Sequence, residues 1–487
     1  MNAMKRVLAV LSAAAMLFCS CAQTGGNPDE VPQEAGAQSP VTPAAEEAAP
    51  ETELTADLPE ADYEGYVFTF LTQTNYNDNF RLDMELNGEA LNDAACQRND
   101  AVADRFNVDF EVRETDDVAS TLRNAVSAGD SAYGMVLPHA TVGVAAMASA
   151  GALSNINELP YTNYAMPWWN GRMKDALAIR GKSYYASGDL VMTWQGMLAI
   201  LFNKELLEDL GVDEDLYAAA EEGRWTMDKM LSLAELGAAD LNGDGTMDGS
   251  DRYGYLGNKN TGYGTQIACG VPFTERDEEG TPVLAFNTDR MTSVVEKYYA
   301  LTHSPATWLD EYSSVTYATS AYRSMLIEGR SFLTELDIGG LYSYLREIEF
   351  NFGILPLPKL DEEQESYRVF CGAGLIGLPS NAEDPERTGA IWEALAYYSY
   401  KFVRPAFFDI VLENKAVRDQ ESYRMITLMH ENKTFDFGFN FDSSGSIYGA
   451  LKSVVITGNG TDFASFYQKQ QKVWTKTLNK VYESFGD

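Results

Sequence analysis

Tyr66-Val-Phe-Thr-Phe-Leu71 is an uncharged run rich in aromatic and aliphatic residues, the pattern of a buried strand. The segments after it decide the fold class. Asn92 to Phe106 places Ala95, Val102 and Phe106 on one helical face, and Val108 to Val112 is a second strand. Val118 to Ala128 reads as another helix, and Tyr133 to Leu137 as a strand ending at Pro138-His139. Strands alternating with helices predict an α/β fold with largely parallel sheet. The alternation resumes over Ala199 to Leu210 and in a helix over 226–236, opened by Thr226 as N-cap. Further helices are expected over 289–301, 320–328, 340–347 and 387–402, the last limited by Pro405. The chain closes in an amphipathic helix over 463–485, with Phe466, Gln470, Trp474, Leu478, Val481 and Phe485 on one stripe. It has no internal repeat.

The amino-terminal end reads as an address. Lys5 and Arg6 precede an apolar run from Val7 to Phe18, too short to remain as a membrane span. Ser20 directly before Cys21 resembles a bacterial lipobox, although Phe18 stands where Leu is usual. Residues 1–21 are therefore expected to be a lipoprotein signal peptide, with Cys21 the lipidated first residue of the mature chain. Residues 22–62 are rich in Pro, Ala, Glu and Gly, lack Lys and Arg, and show no apolar periodicity. They read as a disordered tether, which implies a domain held at the outer face of the cytoplasmic membrane.

The chain carries a formal charge of −36. That disfavours nucleic acid, which needs a basic footprint, and anionic polymers. Beyond the signal only Cys96, Cys269 and Cys371 remain, which make neither a disulfide framework nor a CxxC metal site. They read as small buried hydrophobes, with one disulfide left open.

Residues 240 to 251 carry a metal signature. Asp240, Asn242, Asp244, Asp248 and Asp251 stand at positions 1, 3, 5, 9 and 12 of a calcium loop. Gly245 takes the turn at position 6 and the carbonyl of Thr246 falls at position 7. A hard cation wants six or more converging oxygens, and a tight loop of alternating acids offers them. Asp251 departs from the usual long Glu at position 12. A single loop predicts structural calcium, not a sensor.

Four further segments carry a resemblance. They are Leu86-Asn-Gly-Glu-Ala-Leu-Asn-Asp93, Leu198-Ala-Ile-Leu-Phe-Asn-Lys-Glu-Leu-Leu-Glu-Asp-Leu-Gly211, Gly223-Arg-Trp-Thr-Met-Asp-Lys-Met230 and Phe352-Gly-Ile-Leu-Pro-Leu-Pro-Lys359. In order and spacing the chain after the tether resembles the extracellular solute-binding proteins of bacterial ABC importers, the maltose-binding-like group. The resemblance implies a two-lobed periplasmic-binding-protein-like fold of type II, its lobes joined by crossing hinge strands. It places lobe 1 at 63–188 plus 370–415, and lobe 2, with the calcium loop, at 189–357 plus 416–487. The crossings are expected near 187–191, at 357–369 and around 410–420. It also implies a monomer that captures a solute, expected to be a carbohydrate, and hands it to an ABC permease.

A sugar offers hydroxyl edges and apolar C–H faces, so its site needs aromatic plates and polar rims. Gln73, Asn75 and Asn77 come after the first strand at the carboxyl edge, where α/β sheets open onto ligands. His139 comes after a buried strand. Trp168 and Trp169 precede the first crossing, with one ring expected to plate a sugar while the other packs, and Asp189 and Trp194 flank that crossing. In lobe 2 the candidates are Trp308, Asp337 and Tyr342, and Phe370 lies where the chain re-enters lobe 1. Each has a plain structural alternative as turn or core.

Gly372-Ala-Gly374-Leu-Ile-Gly377 matches GxGxxG but runs into a strand rather than a helix, which argues against a dinucleotide. No HExxH, GxSxG or GxxxxGK[ST] occurs, and His appears only at 139, 303 and 430. The expectation is a binding protein and not an enzyme. Two other readings stay open: a surface glycoside hydrolase working through two carboxylates, and a calcium-dependent carbohydrate-binding or adhesion lipoprotein, which would want several such loops.

Overall fold

The computed structural model describes residues 54–74, 80–82, 85–311, 320–344, 347–372, 374–413 and 419–485. Cys21 and the rest of the leader fall outside them, with most of the proposed tether. The strands in chain order are β1 (Tyr66–Gln73), β2 (Val108–Thr115), β3 (Met135–Leu137), β4 (Tyr185–Ala186), β5 (Leu198–Asn203) and β6 (Tyr253–Asn258). They continue with β7 (Thr274–Arg276), β8 (Pro282–Leu284), β9 (Thr307–Asp310), β10 (Ser331–Asp337) and β11 (Phe352–Pro356). Short strands β12 (Val369–Phe370), β13 (Ile376–Gly377) and β14 (Lys433–Thr434) complete the set.

Two mixed five-stranded sheets result, in the orders β2-β1-β3-β13-β4 and β11-β5-β10-β6-β9. In the first, β1 runs parallel to β2 from Tyr66↔Val108 to Gln73↔Thr115, and parallel to β3. In the second, β10 and β9 run parallel to β6, while β5 opposes β10 and β11. The chain leaves the first sheet after β4, builds the second from β5 to β11, and returns at β13. The molecule is thus a two-lobed α/β fold of the periplasmic-binding-protein kind. Outside both sheets, β12 pairs in parallel with β14.

Local chemistry sets the element ends. The helix Ala90–Phe106 starts where Glu89 accepts the Asn92 N–H, and ends at Asn107, whose φ of 51° is left-handed. The helix Val118–Ala128 is bounded by Asp117, which accepts the Ser120 N–H, and by Gly129 at φ 71°. Its bounds match the sequence expectation. The helix Met227–Gly237 is capped by Thr226 as expected.

Pro405 does not stop the chain's helical path. The helix Pro385–Tyr398 passes into a π-turn over Ser399–Val403 and then into a helix over Arg404–Glu413. Pro405 sits in the first turn of that second helix, where its missing N–H costs little. The terminal helix spans Phe463–Glu483 and buries Phe463, Tyr467, Trp474, Leu478 and Val481. Phe466 and Gln470 lie half-buried at the edge of that stripe. Phe485, past its end, packs its ring 4.9 Å from Tyr184. Cys96, Cys269 and Cys371 are buried and form no disulfide with one another, and burial pushes the Cys269 thiol up to about 12. Among the described residues no helix is long and apolar enough to cross a membrane.

Candidate ligand cleft

The carboxyl ends of the parallel strands mark where such sheets receive ligands. In the first sheet β1 ends at Gln73 and β3 runs into Pro138-His139. In the second, β6 ends at Asn258, β9 at Asp310 and β10 at Asp337.

Asp337 identifies the depth of the site. Its surface is exposed to solvent, yet the protein around it raises its carboxyl above the ordinary range, against the pull of backbone N–H groups at Gly339 and Gly340. The carboxyl thus stands at the end of β10 with protein packed around it while its surface stays open. The Gly340 N–H donates to Asp337 Oδ1 at 2.6 Å. Two residues back on the same face of β10, Glu335 is buried, and burial lifts it to about 7 while Thr261 and Tyr255 hold it down. Tyr255 donates to its Oε2 at 2.8 Å.

Near Glu335 and Asp337, which act on Tyr263, stands an aromatic cluster built from three separate parts of the chain. Tyr263 opens the helix after β6, Phe370 ends β12, and Phe439 and Tyr448 come from the segment after β14. Tyr263 lies 4.6 Å from Phe370, 5.4 Å from Phe439 and 6.0 Å from Tyr448 by ring centroids. Phe439 lies 4.6 Å from Phe370 and 5.0 Å from Tyr448. Phe370 and Phe439 are buried, whereas Tyr263 and Tyr448 are half-buried and keep polar tips. Burial raises the Tyr263 hydroxyl, with Glu335 and Asp337 adding to the rise. Lys452 donates to Asn260 Oδ1 at 2.6 Å and pairs with Glu311 at 3.1 Å, tying the loops after β6 and β9 to the carboxyl-terminal segment. On the other lobe His139 is half-buried, and the Thr141 N–H reaches its Nδ1 at 3.3 Å. Burial lowers its pKa, so the ring is an uncharged hydrogen-bonding group.

Of the sequence candidates, Gln73, His139, Asp337 and Phe370 fall at these strand ends or in the aromatic cluster. The tryptophans do not offer open plates. Trp168 and Trp169 are both buried, and both indole N–H groups donate to Glu393, at 2.8 and 2.7 Å. A shared carboxylate acceptor draws the second ring into the core with the first. Trp194 is wholly buried and packs on Phe407 and Phe408. Trp308, half-buried on β9, packs against Tyr253. Asp189 is buried 3.4 Å from Arg404, which explains it as the partner of a cation. Burial pushes Asp189 up to about 6 although Arg404 and Lys433 pull it down. Tyr342 belongs to the helix Ile338–Tyr344, but its side chain lies outside the described residues, as do Asn75 and Asn77. Tyr263, Phe439 and Tyr448 went unread because a lone aromatic in a loop has no sequence signal that separates plate from core.

Residues 240–251 form a loop held by its own backbone N–H groups. It is closed by a bridge between Ala239 and Arg252. Asp240 accepts the Gly243 and Gly245 N–H groups at 2.7 and 2.8 Å, and Asn242 accepts that of Asp244 at 2.8 Å. Asp244 and Asp248 accept those of Thr246 and Ser250 at 2.8 and 2.7 Å. Asp251 is buried, with both oxygens spent on the Leu241 and Asp248 N–H groups. Gly243 and Gly245 adopt φ of 73° and 82°, conformations a Cβ would strain. Among the described residues no three His, Cys, Asp or Glu side chains converge as around a metal.

Solved structures match nearly the whole chain. UgpB from Mycobacterium tuberculosis, solved in complex with glycerophosphocholine, superimposes with a TM-score of 0.56 at 14% identity over 85% of this chain and 98% of its own. The chain has the fold of the ABC solute-binding proteins. The galacto-N-biose-/lacto-N-biose I-binding protein of Bifidobacterium longum, in complex with lacto-N-biose, gives 0.56 at 13% identity over 87% and 98%. The substrate-binding protein Lmo0181 of Listeria monocytogenes, in complex with cycloalternan, gives 0.53 at 12% over 87% and 99%. At such identities the likeness is one of fold. No protein-family model and no curated protein sequence matches the chain.

Proposed function

We propose that this protein is the substrate-binding component of an ABC importer. It captures a carbohydrate between its lobes and delivers it unchanged to a membrane permease. The observation that carries the reading is the cleft: Asp337 and the Tyr263–Tyr448 aromatic cluster lie together at strand ends, in the fold whose solved examples include binders of lacto-N-biose and cycloalternan. Tyr263 and Tyr448 supply apolar faces with hydroxyl tips, and Asp337 and His139 supply acceptors and donors for sugar hydroxyls. Closure of the lobes results from differential affinity for the closed state. The protein acts as a monomer, held at the outer face of the cytoplasmic membrane by a lipid on Cys21 and the tether after it. Calcium fills the loop 240–251 in this reading. The spacing of Asp240, Asn242, Asp244 and Asp248 and their exposure support it, the carboxylates turning from backbone amides toward the ion.

A thermal-shift screen of mono-, di- and oligosaccharides tests the function. A ligand at a hundred times its dissociation constant adds about 2.7 kcal/mol of stability. A hit recovered intact, with affinity about tenfold weaker in Tyr448→Ala, establishes capture. Recovery as shorter sugars makes the protein a hydrolase, and silence across the sugars withdraws the carbohydrate.

A further inference from the structure

The terminal helix Phe463–Glu483 contains four lysines, Lys469, Lys472, Lys476 and Lys480, and a single carboxylate, Glu483, at its end. The whole chain has 72 acids against 36 bases. At 100° per residue the four lysines and Val473 share an arc of about 100°. That arc is opposite the buried Trp474, Leu478 and Val481. All four lysines are exposed, and Val473 is 59% exposed beside them. Among the described residues Lys472, Lys476 and Lys480 enter no ion pair. The helix dipole accounts for a lysine in the last turn, not for a stripe that begins near its middle.

An unpaired basic stripe with an exposed apolar residue at its edge is a poor solvated face for an acidic protein, and a good one for an anionic surface. We propose that this face of the terminal helix lies on the anionic headgroups of the membrane that anchors the protein, and orients the lobes relative to it. The choice of a bilayer over an acidic protein rests on the lipidated Cys21 reading. The stretch between that cysteine and the fold has the composition of a tether, and a coil of some thirty residues reaches only about 30 Å, which would keep the domain near headgroups. Each lysine near an anionic surface strengthens binding about fivefold. The exposed Val473 gives the stripe an apolar foothold at the headgroup boundary.

The test uses the full mature chain with Cys21→Ser, so that no lipid contributes, sedimented with vesicles of phosphatidylglycerol and phosphatidylcholine or of phosphatidylcholine alone. We expect binding to the anionic vesicles that weakens with salt, is at least tenfold lower in Lys472→Gln/Lys476→Gln/Lys480→Gln, and survives in the corresponding triple Arg variant. An unchanged melting curve shows that the Gln variant folds. Equal binding to both vesicles, or equal binding by the Gln variant, overturns the proposal. So does binding to neither vesicle, including the case where the lysines matter only for association with a permease. Sugar affinity is read separately, so loss of this inference leaves the capture function standing.

Discussion

Arg404 Nη2 lies 2.7 Å from Nε2 of His430. A guanidinium only donates, so Nε2 accepts, and Lys433 Nζ lies 3.2 Å from Nδ1, so two basic side chains flank the ring. Burial first, then Lys433, Arg404 and Arg172, drive the His430 pKa down to about 2, and Lys433 falls to about 8. The folded state therefore binds fewer protons here than the unfolded chain, and this group's contribution to stability is lost as pH falls below about 6.5. With only three histidines in the chain, proton NMR resolves each. The His430 resonance is expected to stay flat between about pH 5 and 7.5; a midpoint in that range would refute the assignment.

Glu335 has the opposite sign. Its carboxyl is raised from 4.5 to about 7, chiefly by burial, so the folded state holds a proton that the unfolded chain releases. Stability falls as pH rises through that window. Glu335→Gln removes the titration. The variant is expected to gain on the wild type as pH climbs from about 4.5 to above 7, by on the order of 2 kcal/mol. Parallel denaturation curves at every pH would show that Glu335 is already solvated.

Glu393 serves Trp168, Trp169 and the Asn163 N–H, the last at 3.2 Å. Glu393→Ala orphans two buried indole donors and the part-buried Asn163 N–H and is expected to cost about 3 kcal/mol or more in urea denaturation. Glu393→Gln keeps one acceptor and costs less. If both variants melt with the wild type, the tryptophan pair does not depend on this carboxylate.

Trp194→Ala opens a large void between Phe407 and Phe408 and is expected to cost about 3–5 kcal/mol. A variant of native stability with weakened ligand would return Trp194 to the binding site.

For the calcium loop, adding a chelator is expected to lower the melting temperature of the wild type. The double variant Asp240→Ala/Asp244→Ala should melt at the lower temperature with or without chelator. A wild-type curve indifferent to chelation removes calcium from the description.

The sequence alone determined whatever depends on near neighbours along the chain. Local pattern drew the helix 118–128, Thr226 announced its own helix, and the acids of 240–251 fixed a loop closed by local N–H bonds. The β–α alternation from Tyr66 to Leu137 was enough for the fold class. Pro405 misled because a π-turn at Ser399–Val403, set by packing, moved it into a first turn where it is harmless. The tertiary structure alone decided which aromatics pack and which face the cleft. Trp168 and Trp169 are claimed by Glu393, more than 220 residues away along the chain. The cluster of Tyr263, Phe370, Phe439 and Tyr448 exists only once the crossings bring three distant segments together. A side chain's type states what it can bind; only the fold determines whether a buried partner or the solvent gets it.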